Sequence, residues 1–139
     1  AASLSGLVGL GGFAHAGERS AAFTQTLNEL LDGATPVTGG IQMDLPEQVE
    51  NGDYVPLALS IESPMTPQDH VKAIHLLSTA NPRAHVATFR FTLLSGKARV
   101  TSRMRLAKTQ EVVALAELSD GRILMSQTNV DVKVGGCGL

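Results

Sequence analysis

Beyond residue 40 the chain keeps returning apolar side chains to every second position, and this periodicity restricts the fold more than any other feature of the sequence. Ile41, Met43 and Leu45 alternate with Gln42 and Asp44, while Val55, Leu57, Leu59 and Ile61 alternate with smaller or polar neighbours. Successive side chains of an extended chain point to opposite faces, so the pattern describes strands with one face buried. Val71 to Leu77, Ala84 to Leu93, Lys97 to Leu106, Gln110 to Leu118 and Arg122 to Val134 continue the series. Turn-forming pairs separate them at Asn81-Pro82, Ser95-Gly96, Lys108-Thr109 and Asp120-Gly121, and Pro64 and Pro67 punctuate a loop. Glu50-Asn51-Gly52-Asp53 reads as a tight hairpin turn, because Asn and Gly tolerate the positive φ such connections use. Short strands joined by turns predict a mainly β fold, an immunoglobulin-like antiparallel β-sandwich, and no helical stretch remains to build the crossovers of a parallel sheet.

Helical periodicity occurs once within the body of the chain. From Glu18 to Leu31, the spacing of Ala22, Phe23, Leu27, Leu30 and Leu31 predicts an amphipathic helix with Gln25, Asn28 and Glu29 turned outward, and Gly33 is placed to end it. A chain of 139 residues is the size of one domain, here a body over residues 17–134 with two appendages, residues 1–16 and 135–139. Ala1 to Ala16 is apolar, glycine-rich and without charge, like the back half of an export signal. Ala14-His15-Ala16 supplies a small-x-small cleavage pattern that would make Gly17 the first mature residue. The alternative is an apolar segment that packs on the domain or on a partner; it is too short and glycine-rich to span a membrane. An exported protein of the periplasm, with no membrane partner, is expected. Aromatic residues make up 4% of the chain, tryptophan is absent and the net charge is -2, which argues against nucleic acid as a partner.

Cys137 is the only cysteine. One thiol cannot staple a fold, so it is free or joined to something external. Gly135, Gly136 and Gly138 surround it and Leu139 follows, and these residues read as a flexible arm. With Val134 as the last anchored residue, three extended steps carry the cysteine about 10 Å from the sheet. A catalytic cysteine needs a histidine, cation or helix N-terminus fixed beside it, which a moving arm does not provide. A thiol with an ordinary pKa of about 8.5 is mostly protonated at neutral pH, so activation is left to whatever protein receives the arm. That is the logic of a covalent carrier rather than an enzyme: no catalytic residue and no cofactor in this chain, with cargo attached to Cys137. A structural or adhesive sandwich with an incidental tail thiol is the alternative, and a thiol peroxidase or transferase a third class.

Two other groups of residues invite functional readings. Lys97, Arg99, Arg103 and Arg105 share one face of a strand whose other face carries Ala98, Val100, Met104 and Leu106. The basic row is either a solvated sheet face or a docking face for an acidic partner or anion. His15, His70, His75 and His85 raise the question of a metal, but His70 and His75 are an odd number of residues apart and fall on opposite faces of any strand holding both. No metal site is expected.

The ending Gly135-Gly136-Cys137-Gly138 resembles the Gly-Gly-Cys-Gly-Gly type terminus of the SoxY family, the sulfur carriers of the bacterial Sox system for oxidising thiosulfate. Glu50-Asn51-Gly52, Val55-Pro56, Asn81-Pro82, Arg103-Met104-Arg105-Leu106, Thr109-Gln110 and Asp120-Gly121 are also similar to that family, over about Gly17 to the end. Leu139 departs from the pattern, standing where a final glycine belongs. The resemblance implies that Cys137 is the attachment point for thiosulfate-derived sulfur. It also implies an obligate partner, SoxZ, forming a SoxYZ heterodimer. Transient partners would be a c-type haem cytochrome, a hydrolase and a molybdenum-haem dehydrogenase of the Sox system.

Overall fold

The computed structural model describes residues 18–136. The helix, α1 (Ala21–Leu31), begins where Ser20 takes an extended conformation and its hydroxyl accepts a hydrogen bond from the Phe23 amide at 3.0 Å. It starts later than its periodicity indicates because the residues before it are tied to the sheet instead. The Ser20 amide donates to the Thr79 carbonyl, and the Arg19 guanidinium reaches Glu111 and Gln127 at 3.1 and 2.8 Å. Asp32 caps the other end in the left-handed region at φ 47, one residue before the glycine expected to stop the helix, and Gly33 follows at φ 86.

The strands are β1 (Val37–Thr38), β2 (Gln42–Asp44), β3 (Gln48–Asn51), β4 (Val55–Ile61), β5 (Val71–Ser78), β6 (His85–Arg90), β7 (Ala98–Met104), β8 (Gln110–Leu118) and β9 (Ile123–Val134). A larger sheet runs β1-β9-β8-β5-β6 with β3 also paired to β9, and a smaller one runs β2-β4-β7. Together they form the expected sandwich. The main ladders are antiparallel, but β1 and β3 lie parallel to successive stretches of β9. The chain leaves the larger sheet for β2 and returns for β3, so both short strands meet the free edge of β9 with one polarity. For the same reason Glu50-Asn51-Gly52-Asp53 is not a hairpin turn. β3 pairs with β9 whereas β4 pairs with β2 and β7, and the turn therefore carries the chain from one sheet to the other.

The body has three layers. Between the sheets lie Val55, Leu57 and Leu59 of β4, Ile74 and Leu76 of β5, and Val112, Ala114 and Ala116 of β8. On the outer face of the larger sheet, Phe23 of α1 packs with Leu77, Ala84, Val113 and Leu115. β8 is thus buried on both faces, which is why Val112-Val113-Ala114-Leu115-Ala116 is a continuous apolar run rather than an alternating one. The hairpin from β8 to β9 closes on Asp120 and Gly121. Asp120 accepts from the Arg122 amide at 2.9 Å and from its guanidinium at 2.7 Å, in that order the causes that hold its carboxyl below the usual range. Because that pKa is depressed by folding, the pair favours the fold at neutral pH and stops doing so as the pH falls through the lowered value.

Phe23 is the one fully buried side chain that α1 contributes. Phe23→Ala is expected to lower stability by about 3–5 kcal/mol, read from chemical denaturation. A loss under about 1 kcal/mol would mean that α1 does not seal the outer face.

Candidate functional site

The end of β9 is where the chemistry suggested by the sequence has to begin, and it is built from two buried amides upward. Asn81 and Gln110 are almost fully buried and satisfy each other and the neighbouring backbone. The Asn81 Oδ1 accepts from Gln110 Nε2 at 2.8 Å and from the Ala107 amide at 2.9 Å, while Asn81 Nδ2 donates to the Arg105 carbonyl at 2.8 Å. Gln110 Nε2 donates also to the Lys108 carbonyl, and its Oε1 accepts from the Ala80 amide, each at 3.0 Å. The segment from Arg105 to Lys108 is irregular backbone, and these bonds hold it in place of a strand ladder.

That segment in turn holds the end of β9. Thr109 Oγ1 accepts from the Val132 amide at 2.8 Å. The Gly52 amide donates to the Val134 carbonyl at 2.8 Å, the Leu106 amide to the Gly52 carbonyl at 2.8 Å, and the Gly136 amide to the Leu106 carbonyl at 2.9 Å. Three stretches of backbone meet there with no space for side chains. A Cβ on Gly52 would stand 2.1 Å from the Leu106 oxygen, one on Gly135 2.1 Å from the Ala107 oxygen, and one on Gly136 3.0 Å from the Gly52 oxygen.

The expectation of a flexible arm beginning at Gly135 is corrected here. Gly135 and Gly136 are half-buried and seated against Gly52, Leu106 and Ala107, and their glycine identity answers to close approach rather than to freedom. Val134 is therefore not the last anchored residue. Cys137, Gly138 and Leu139 lie outside the described residues, as do His15 and the whole segment expected to be an export signal.

Lys97, Arg99, Arg103 and Arg105 are all exposed and fall on one face, outward along the edge strand β7 and the residues flanking it. Arg103 lays its guanidinium over the Tyr54 ring, 5.6 Å from the centroid, and Tyr54 is itself 59% exposed. The row ends at Arg105, next to the Leu106 whose carbonyl receives Gly136. The histidines occupy other places. His70 Nδ1 donates to the Thr66 carbonyl at 2.9 Å, and buried His75 bridges Thr88 at 2.9 Å and Glu117 at 2.5 Å. His85 reaches the same Thr88 hydroxyl at 2.8 Å. Among the described residues no group of three or more His, Cys, Asp or Glu is placed to hold a metal ion, and no helix is long and apolar enough to cross a membrane.

Comparison with known proteins gives three findings. The family model described as sulfur oxidation protein SoxY matches residues 27–137, a span that includes the cysteine. The sulfur carrier protein SoxY from Chlorobium limicola f thiosulfatophilum is similar in structure, with a TM-score of 0.63 at 27% identity, over 80% of this chain and 96% of that one. Superoxide reductases share the fold alone. The neelaredoxin from Ignicoccus hospitalis has a TM-score of 0.60 at 15% identity, over 68% of this chain and 80% of its own. The enzyme from Nanoarchaeum equitans has 0.58 at 10%, over 68% and 99%. No curated protein matches the sequence.

Removing the Asn81 side chain would leave the Ala107 amide, the Arg105 carbonyl and the Gln110 amide without their partners. Asn81→Ala is expected to cost about 1–3 kcal/mol in denaturant unfolding. A value near zero would show that water replaces the network at no cost.

Proposed function

The chain belongs to the SoxY family of sulfur oxidation proteins, and from that premise we propose that it carries thiosulfate-derived sulfur on the Cys137 thiol and presents it to other enzymes without catalysing the reactions itself. The observation that carries the reading is that the family match runs through the one cysteine of the chain. The seating of the two residues before that cysteine against the body gives it further support. A structural or adhesive role would have no need of a thiol at that position.

The chemistry proposed for the thiol balances without any group resident in this chain. Oxidative coupling joins Cys–SH to thiosulfate through a new S–S bond, releasing one proton and two electrons, and a c-type haem partner accepts the electrons. Hydrolysis then adds water across the terminal S–S bond, releasing sulfate and a proton and leaving a cysteine persulfide. A molybdenum-haem dehydrogenase takes six electrons from the outer sulfur, with three waters supplying the oxygens, to give an S-sulfonate. A second hydrolysis returns the thiol and another sulfate. Throughout, Cys137 keeps its Cβ–S bond, and the nucleophile and acid are supplied by the visiting enzyme. The proposed setting is the periplasm, and the proposed standing partner is SoxZ in a SoxYZ heterodimer.

The basic row fits this scheme as an electrostatic guide. Lys97, Arg99, Arg103 and Arg105 extend along one edge and finish beside the seated glycines, so a visiting enzyme with an acidic rim would be drawn toward the thiol. Reversing charge with Arg103→Glu and Arg105→Glu together is expected to slow loading of Cys137 by the haem partner at low salt by about tenfold, with the difference shrinking as ionic strength rises. Equal loading at all salt concentrations would make the row a solvated face only.

The direct test of the carrier reading is intact mass of the protein purified from a host growing on thiosulfate, before and after mild reductant. Additions of sulfur, sulfonate or thiosulfonate that disappear on reduction and map to Cys137 are expected. Cys137→Ser should abolish thiosulfate-dependent turnover in the reconstituted system while leaving the unfolding transition unchanged. A bare thiol in the native host, or turnover surviving the substitution, would overturn the proposal.

A further inference from the structure

A carrier arm that served only as a loose tether would have no reason to press its glycines against the body, yet Gly135 and Gly136 are seated there. We infer that Gly52, braced by Asn81 and Gln110, forms a socket for Gly135–Gly136 and so fixes where the thiol-bearing terminus leaves the body. These are positioning residues, which act on Cys137 through the backbone. The functional half of the inference rests on the carrier reading; the geometric half does not.

The glycines of the described chain separate into two kinds, and the separation carries the argument. Gly33, Gly39, Gly96 and Gly121 have positive φ and nothing within 4 Å of an added Cβ, so the backbone conformation demands glycine and space does not. At Gly52 and Gly135 the reverse holds. Neither has φ in the left-handed region, and each would drive a Cβ to 2.1 Å from a backbone oxygen. Space alone demands glycine there, and that space is taken by the segment from Leu106 to Ala107.

The hydrogen bonds run in one direction through this packing. Gly136 donates to Leu106, Leu106 donates to Gly52, and Gly52 donates to Val134, so the end of β9 is tied back to its own strand through two other segments. The Leu106 carbonyl can receive Gly136 only if the segment around it is fixed, and the buried pair fixes it through the Arg105 and Lys108 carbonyls and the Ala107 amide. Seated chain extends to Gly136. Between it and the cysteine remains one residue step, about 3.5 Å of chain. A visiting active site must then come to the rim formed by Gly52, Asp53, Tyr54 and Arg105, and recognition of the body becomes part of loading.

Amide hydrogen exchange on the whole chain, resolved by residue, tests the socket directly. The Gly136 and Leu106 amides are expected to exchange at least about tenfold more slowly than unstructured peptide. In Gly52→Ala the Gly136 protection should be lost while Val113 and Leu115 keep theirs. The same variant should react with a small maleimide within about twofold of wild type, but raise the KM for the carrier in thiosulfate loading by the haem partner about fivefold or more, with kcat little changed. Free exchange at Gly136 in the wild type, or lost protection with unaltered loading, would overturn the inference. Should Gly52→Ala fail to fold, Asn81→Asp keeps the acceptor oxygen but loses the donor to Arg105, and wild-type protection of Gly136 in that variant would refute the bracing. Turnover surviving Cys137→Ser in the same assay would defeat the carrier reading and leave the exchange result standing.

Discussion

The packing of three backbone segments around Gly52 is the constraint on which the rest of the site depends. Backbone groups buried in this way must find partners, because an unpaired buried amide or carbonyl costs as much as a lost hydrogen bond. Here the Gly52 amide, the Gly52 carbonyl and the Leu106 carbonyl are each satisfied by a different segment. Such close approach excludes every side chain larger than hydrogen, so the contact fixes residue identity at Gly52 and Gly135 as strictly as a catalytic geometry would. It also joins the two sheets, since Gly52 lies between β3 on the larger and β4 on the smaller.

What makes that contact stable lies one layer further in. Asn81 and Gln110 are costly residues to bury, and their cost is offset only because every polar atom in the pair that the loop requires is matched. The pair sits at the start of β8, the strand covered by the smaller sheet on one face and by α1 on the other. A strand with both faces packed is the part of a sandwich least able to shift. Thus the three-layer body sets the position of Gln110, Gln110 and Asn81 set the segment from Arg105 to Lys108, and that segment sets Gly136.

Much of this order was legible in the residues, and the part that was not has a physical cause. The period-two runs through Val55–Ile61 and the other strands gave their positions because burial on one face imposes alternation, and the Glu18–Leu31 stretch revealed its helix by the same logic at a different period. The parallel pairing of β1 and β3 was hidden, since strands of two and four residues carry no signal of direction. Asn51-Gly52 misled in a specific way. The dipeptide favours hairpins through the φ it permits, whereas Gly52 is required for the space it leaves. Nor could Asn81 and Gln110 be told from turn residues, because a buried amide and an exposed one are written with the same letter and only the fold distinguishes them.

The glycines beside the cysteine show how far this ambiguity reaches. Glycine flanking a reactive group is ordinarily read as conformational freedom, and on that reading the distance a cargo can travel grows with the number of glycines. Where the same residues are present because a neighbouring carbonyl leaves no room for a Cβ, they shorten the tether instead. The two meanings differ in what surrounds the missing side chain, open solvent in one and backbone at 2.1 Å in the other. A carrier built in the second way trades reach for position: the thiol is held close to a rim of fixed charge and shape, and discrimination among visiting enzymes can rest on the body rather than on the few atoms of the tip.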